Sequence, residues 1–161
     1  MRARERFSVI QPWISLIVRV TAGAVMLWAG LAKMLDIPAA VRAVRAYQLL
    51  PEAVVPLVGN VLPFLEIGLG MFLIAGLVTR RMAIVYLAML AVYVFGAIWA
   101  WAHNLQIDCG CFGGDGALAA GATTDYAGHF IERAGLIALG AWLVFFPRSG
   151  LSLDAWLRPA D

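Results

Sequence analysis

VVPLVGNVLPFLEIGLGMFLIAGLV, residues 54–78, is followed by Thr79, Arg80 and Arg81 and then by MAIVYLAMLAVYVFGAIWAWA, residues 82–102. Each run is as long as a helix needs to be to cross a bilayer, roughly 20 residues. The few polar residues between them leave room only for a tight turn, which predicts two antiparallel spans packed as a hairpin. Pro63 is expected to kink the first of them, because bilayer helices tolerate proline where neighbours satisfy the freed carbonyls.

Working outward, Trp13 to Ala32 is a third run of spanning length, and Phe130 to Phe146, stopped by Pro147, is a fourth. Arg2, Arg4 and Arg6 ahead of the first run have the look of a signal peptide, but the run is too long for one and reads as retained helix. Composition agrees: 63% of the 161 residues are hydrophobic and 14% charged, with mean hydropathy +0.85, too apolar for a surface that must be wet. The net charge of +2 forms no basic stripe, which argues against nucleic acid as a partner. The expected fold is therefore an all-α membrane protein, one domain over residues 1–161, a four-helix bundle with spans near 13–32, 54–78, 82–102 and 130–146.

Pro38 to Leu50 sets Val41, Val44 and Leu49 against Arg42 and Arg45, a pattern that suits a short helix lying in the membrane interface after span one. Leu151 to Leu157 is similar but shorter. Arg2, Arg4, Arg6, Arg80, Arg81, Arg148 and Arg158 fall on one side, against Lys33, Arg42 and Arg45 on the other, a split of seven to three. The positive-inside rule then puts both termini in the cytoplasm and the connection between spans three and four outside, in a multi-pass protein of the plasma membrane. Trp99, Trp101 and Tyr126 flank that connection as an aromatic belt would.

The outer loop holds Cys109 and Cys111, the two cysteines of the chain. In an oxidising compartment a close pair forms a disulfide or cycles through one. One intervening residue closes so short a loop that stapling gains little. The ring has about eleven atoms, and departure from preferred disulfide torsions makes such a bond easier to reduce. Gly110, with Gly113, Gly114 and Gly116 beyond, tolerates unusual backbone angles. The pair reads as redox-active, with metal binding and an inert pair as the alternatives. A metal would need more ligands than two thiolates. His103 and His129 flank the loop without paired metal-site spacing, so no metal site is assigned. A protonated histidine such as His103 near the pair would raise thiol reactivity, and Asp108 and Asp115 would oppose it.

Charges within spans turn toward the bundle interior. Arg19 and Glu66, set roughly 9 Å apart in depth at about 1.5 Å per residue, are expected to form an ion pair, with a proton-handling or quinone-facing role for Glu66 as the sharper alternative. Lys33 and Arg133 are expected to snorkel to the outer face, which would set Arg133 near the cysteine loop as a thiolate partner. Gly23, Ala24 and Gly30 in span one, and Gly68, Gly70 and Gly76 in span two, would let backbones approach closely. Tyr86, Tyr93, Phe95 and Trp99 read as packing and belt residues.

Arg19, the segment Trp28-Ala29-Gly30-Leu31-Ala32-Lys33, Glu66, and Asp108-Cys109-Gly110-Cys111-Phe112-Gly113 together resemble the MauE/DoxX group of redox-associated membrane proteins, and the Cys-Gly-Cys-Phe-Gly loop is most similar to its MauE branch. That resemblance covers almost the whole chain. It implies a role in methylamine utilisation beside an exported thioredoxin-like partner, in maturation of a disulfide-rich methylamine dehydrogenase subunit. The chemistry expected is thiol–disulfide exchange at Cys109 and Cys111 through a mixed disulfide. With no cysteine in the cytoplasmic half, electrons must pass to or from another carrier, and a membrane quinone is the plausible one by analogy with other four-helix thiol oxidases. A non-catalytic scaffold for the thioredoxin-like protein, and a metal-handling protein, are the competing readings.

Overall fold

A computed structural model describes residues 2–108, 114–118 and 122–157. Among the described residues six helices follow one another: α1 (Arg2–Met34), α2 (Ile37–Ala46), α3 (Val55–Ala75), α4 (Thr79–Ala102), α5 (Tyr126–Phe145) and α6 (Leu153–Leu157). The described residues include no strand. Four segments of the described residues are long and apolar enough to cross a membrane, namely Val9–Met34, Val55–Ala75, Thr79–Ala102 and Tyr126–Phe145. All four expected spans are present, with ends that differ by a few residues. The fourth begins a turn earlier than its apolar run because Asp125 accepts a hydrogen bond from the Gly128 amide at 2.9 Å and caps the helix.

Large apolar side chains cover the outside of the bundle: Trp28, Phe64, Phe95 and Ile131 are all more than half exposed. In water such a surface would associate; in a bilayer it faces lipid, and the helices satisfy their own backbone groups. The interior is small and tightly filled, with Ala22, Met26, Leu69, Leu73, Tyr86, Leu90 and Leu143 at its centre.

Helix pairing follows the small residues. A Cβ at Gly23 would meet the Gly70 carbonyl at 2.9 Å and Ile74, and a Cβ at Gly30 would meet the Pro63 carbonyl at 2.8 Å and Ile67. The two glycines lie seven residues apart and meet partners seven residues apart, in the opposite direction, so α1 and α3 run antiparallel with backbones nearly touching. Gly140 of α5 makes room for side chains instead, since a Cβ there would meet the Tyr86 and Leu87 side chains of α4. The main pairs are thus α1 with α3 and α4 with α5, while α3 and α4, expected to pack as an antiparallel hairpin, make a slimmer contact. Of the other small residues singled out in span two, Gly68 has open space around it, and Gly76 is a helix cap with φ +69°.

The tail closes one end of the bundle. Asp154 of α6 accepts hydrogen bonds from the amides of Val78 and Thr79 at 2.7 and 2.9 Å and from the Thr79 hydroxyl at 3.1 Å, capping α4 from a distance in sequence. Ser15 donates to the Phe146 carbonyl at 2.9 Å, and Gln11 to the Arg148 carbonyl at 2.9 Å. At the other end, Asp36 caps α2 through the Ala39 amide at 2.9 Å. Helix α2 buries Ala39, Ala40 and Ala43, and its Val41 packs on Gly59 of α3.

Candidate functional site

A cluster of charged and aromatic side chains lies in the interior of the bundle, one from each spanning helix. Lys33 of α1 donates to both carboxylate oxygens of Glu66 of α3 at 2.8 Å, with only 7% of the lysine and none of the glutamate exposed. The Tyr93 hydroxyl of α4 donates to the same carboxylate at 2.5 Å. Arg133 of α5, 3% exposed, holds its guanidinium 5.8 Å from the centre of the Tyr93 ring, and the Lys33 ammonium lies 5.9 Å from that centre. A buried acid in hydrocarbon needs such partners, since an isolated charge there costs several kcal/mol.

Four expectations differ from this geometry. Glu66 pairs with Lys33, not with Arg19. Trp13 and Val78 do not lie level: the glycine contacts set Arg19 beside Gly76, ten residues or roughly 15 Å along α3 from Glu66. Lys33 does not snorkel outward, because a buried carboxylate lies within its reach. Nor does Arg133, which turns onto the Tyr93 face and leaves Nε and Nη2 buried without hydrogen-bond partners. Tyr93, read as packing, is instead a ligand of Glu66. The clue was available: Glu66 needs a partner, and the small-residue seam of α1 and α3 brings the Lys33 end of one helix toward the middle of the other.

Arg19, 1% exposed, belongs to the opposite end, where it donates to the Leu151 carbonyl at 3.1 Å. Its guanidinium occupies the space a side chain at Gly76 would need, so it ties the tail to the end of α3. That is an architectural task.

Cys109 and Cys111 lie outside the described residues, as do Gly110, Phe112 and Gly113; the chain on either side is described. Thr124 joins the two stems: its hydroxyl accepts from the Ile107 amide and donates to the Ile107 carbonyl, both at 2.9 Å, and its amide donates to Gln106 at 3.0 Å. Tyr126 adds a hydrogen bond to the Leu105 carbonyl, and the Asp108 amide donates to the Gly116 carbonyl at 3.3 Å. Gly116, with φ +84°, rests on Ala43 and Ala46 of α2, a closeness and a backbone angle that favour glycine. Asp115 and Arg42 of α2 approach to 3.8 Å, both about half exposed. At the end of α2, Arg45 and Glu52 form an exposed ion pair that holds the Glu52 carboxyl below, and the Arg45 guanidinium above, its ordinary range, chiefly through their hydrogen bonds.

Between these stems and the helices is a cavity of about 300 Å³, lined by Tyr47, Asp108, Thr124, His129 and Glu132 among others. His129 Nε2 is buried and has no hydrogen-bond partner. His103, the histidine named as a candidate from sequence, is elsewhere: it stacks on Trp99 with ring centres 4.0 Å apart, sets Nδ1 2.8 Å from the Trp99 carbonyl, and ends α4. Among the described residues no group of three or more His, Cys, Asp or Glu side chains is placed to hold a metal ion.

A second cavity, of about 150 Å³, lies under α2 and is mostly apolar, with Lys33 and Tyr93 among its lining residues and Ala40, Ala43 and Val44 contributed by α2. Tyr47 lines both cavities and packs on Gly96 of α4. The Lys33–Glu66–Tyr93 cluster and the stems of the cysteine loop are therefore neighbours across a single short helix.

A family model described as methylamine utilisation protein MauE matches residues 11–146, from the first spanning helix to the end of the fourth. Comparison with curated proteins and comparison with solved structures gave no match.

Proposed function

The chain belongs to the MauE family, membrane proteins associated with methylamine utilisation, and on that footing we propose that it is a thiol–disulfide redox protein whose reacting groups are Cys109 and Cys111. The observation that carries this reading is the pair itself, the two cysteines of the chain, set one residue apart between stems that Thr124 pins together. A thiolate of an exported thioredoxin-like partner attacks one sulfur of the Cys109–Cys111 disulfide and forms a mixed disulfide. The partner's second thiolate then resolves it. The partner leaves as a disulfide, and Cys109 and Cys111 are left as thiols carrying the two electrons and two protons received. The disulfide-rich client is oxidised by the partner in turn.

His129, rather than His103, is the histidine suited to exchange a proton with this pair, because it lines the cavity shared with Asp108, the residue before Cys109. Arg133 acts on the Tyr93 side of the interior. Both termini are cytoplasmic and the cysteine loop is outside in this reading, as the arginine distribution favours. Reoxidation of Cys109 and Cys111 requires a two-electron carrier that is not a thiol of this chain. A lipid-soluble quinone suits the apolar cavity under α2, which is bounded by Lys33 and Tyr93.

The test is partner oxidation by the full-length protein in proteoliposomes, with Cys109→Ser, Cys111→Ser and the double variant. Loss of partner oxidation in each, with helicity unchanged, supports the redox reading. Complementation by the double variant in cells would instead support the scaffold reading.

A further inference from the structure

The end of the bundle opposite the cysteine loop carries a basic cavity that redox chemistry does not use. It has a volume of about 720 Å³ and is lined by Arg80, Arg81, Arg148, Ser149, Ser152 and Asp154 among others. Its position is set by three span ends: α3 stops at Ala75, α4 starts at Thr79, and α5 stops at Phe145. Arg80 and Arg81 are on the first turn of α4, Arg148 follows Pro147, and all three are exposed.

Asp154 is the acid among the described residues of this lining, and its carboxylate is already taken up by the Val78 amide and by the amide and hydroxyl of Thr79. Three arginines therefore share the lining with one engaged carboxylate, an excess of positive charge among its described residues at the level where the apolar spans end. Ser149 supplies an independent sign. It is 7% exposed, yet its Oγ is buried with no hydrogen-bond partner. Buried hydroxyls are normally satisfied, and an orphan on the wall of a basic cavity marks a missing acceptor.

We propose that this cavity binds the phosphate of an anionic phospholipid, with Arg80, Arg81 and Arg148 as its counter-charges and the Ser149 hydroxyl as a neutral donor. Guanidinium groups suit phosphate through charge-assisted, paired hydrogen bonds. Basic clusters at the ends of spanning helices recognise anionic headgroups in this way. A lipid rather than free phosphate is the ligand because the cavity opens where the span ends meet the headgroups, so that the acyl chains can lie along the exposed apolar faces of the helices. Bound there, the lipid would join the α3–α4 turn to the tail.

The test uses the full-length protein in neutral detergent, titrated with phosphatidylglycerol, phosphatidylcholine or inorganic phosphate, with retained lipid read by native mass spectrometry. Phosphatidylglycerol is expected to be retained at a concentration about tenfold below that needed for phosphatidylcholine, whose choline cation cancels its phosphate charge and is repelled by the arginines. Arg148→Gln should remove most of that preference while leaving Arg80 and Arg81 in place. Ser149→Ala, a smaller change that keeps every charge, should weaken phosphatidylglycerol retention about threefold or more, because the hydroxyl donates to the phosphate. Arg45→Gln, at the far end of the bundle, should leave it unchanged. Equal retention of the two lipids, an equal loss in Arg45→Gln and Arg148→Gln, or displacement of phosphatidylglycerol by equimolar inorganic phosphate would each overturn the proposal.

Discussion

Lys33 and Glu66, thirty-three positions apart in the chain, meet in the bundle interior with both carboxylate oxygens 2.8 Å from the ammonium. The pair fastens α1 to α3 where glycine contacts have already brought the two backbones together, and Tyr93 completes the carboxylate's coordination from α4.

Removing one partner of this pair should be far worse than removing both. Lys33→Met leaves a buried carboxylate and is expected to destabilise the bundle by about 3–5 kcal/mol, whereas Lys33→Met with Glu66→Leu should recover much of that loss. Tyr93→Phe removes one hydrogen bond and should cost about 1–3 kcal/mol. Denaturant unfolding in detergent measures all three; a double variant as unstable as Lys33→Met alone would refute the pairing.

The α1–α3 seam has no room for a side chain at Gly30, where a Cβ would lie 2.8 Å from the Pro63 carbonyl, but has open space at Gly68. Gly30→Val should therefore abolish a monodisperse folded protein. Gly68→Ala should be neutral or gain about 1 kcal/mol from helix propensity. Size-exclusion profiles and melting temperatures report both, and equal behaviour of the two variants would contradict the register.

Asp154→Ala removes a cap supplied by the tail to α4 and should cost about 0.5–2 kcal/mol. Amide hydrogen exchange at Val78 and Thr79 should accelerate along with it, since both amides donate to that carboxylate. Unchanged exchange there would show that the tail does not cap α4.

The Arg45–Glu52 pair gives a pH signature. The pairing holds the Glu52 carboxyl low, so its contribution is complete above the ordinary carboxylate range and is lost as pH falls through the depressed value. Carboxyl chemical shifts followed by NMR should titrate at lower pH for Glu52 than for a free glutamate, and Arg45→Gln should return the midpoint to the ordinary range. An ordinary midpoint in the unmodified protein would refute the pair.

The four spans were legible from residues 13–32, 54–78, 82–102 and 130–146 because hydrocarbon imposes one simple length and polarity rule. The interior partners were harder to read. Depth counted from span ends brings Arg19 almost within reach of Glu66, but α1 and α3 are fixed by Gly23 and Gly30 against Gly70 and Pro63, which shifts the register and gives Glu66 to Lys33. Snorkelling was the wrong rule for Lys33 and Arg133, because it describes cations that lack a buried partner or aromatic face, and both have one. His129 and His103 flank the loop alike in sequence. Only the fold separates them, ending α4 at His103 and turning His129 to the cavity under the stems.

The most direct measurement is the redox state of Cys109 and Cys111 in intact cells, read by a mass-shifting, membrane-impermeant thiol reagent before and after mild reduction. The proposed function predicts a pair that is oxidised at rest, becomes reactive on mild reduction, and is reached from outside the cell. A pair that is permanently free, or labelled only after the cytoplasm is opened, would contradict both the chemistry and the orientation.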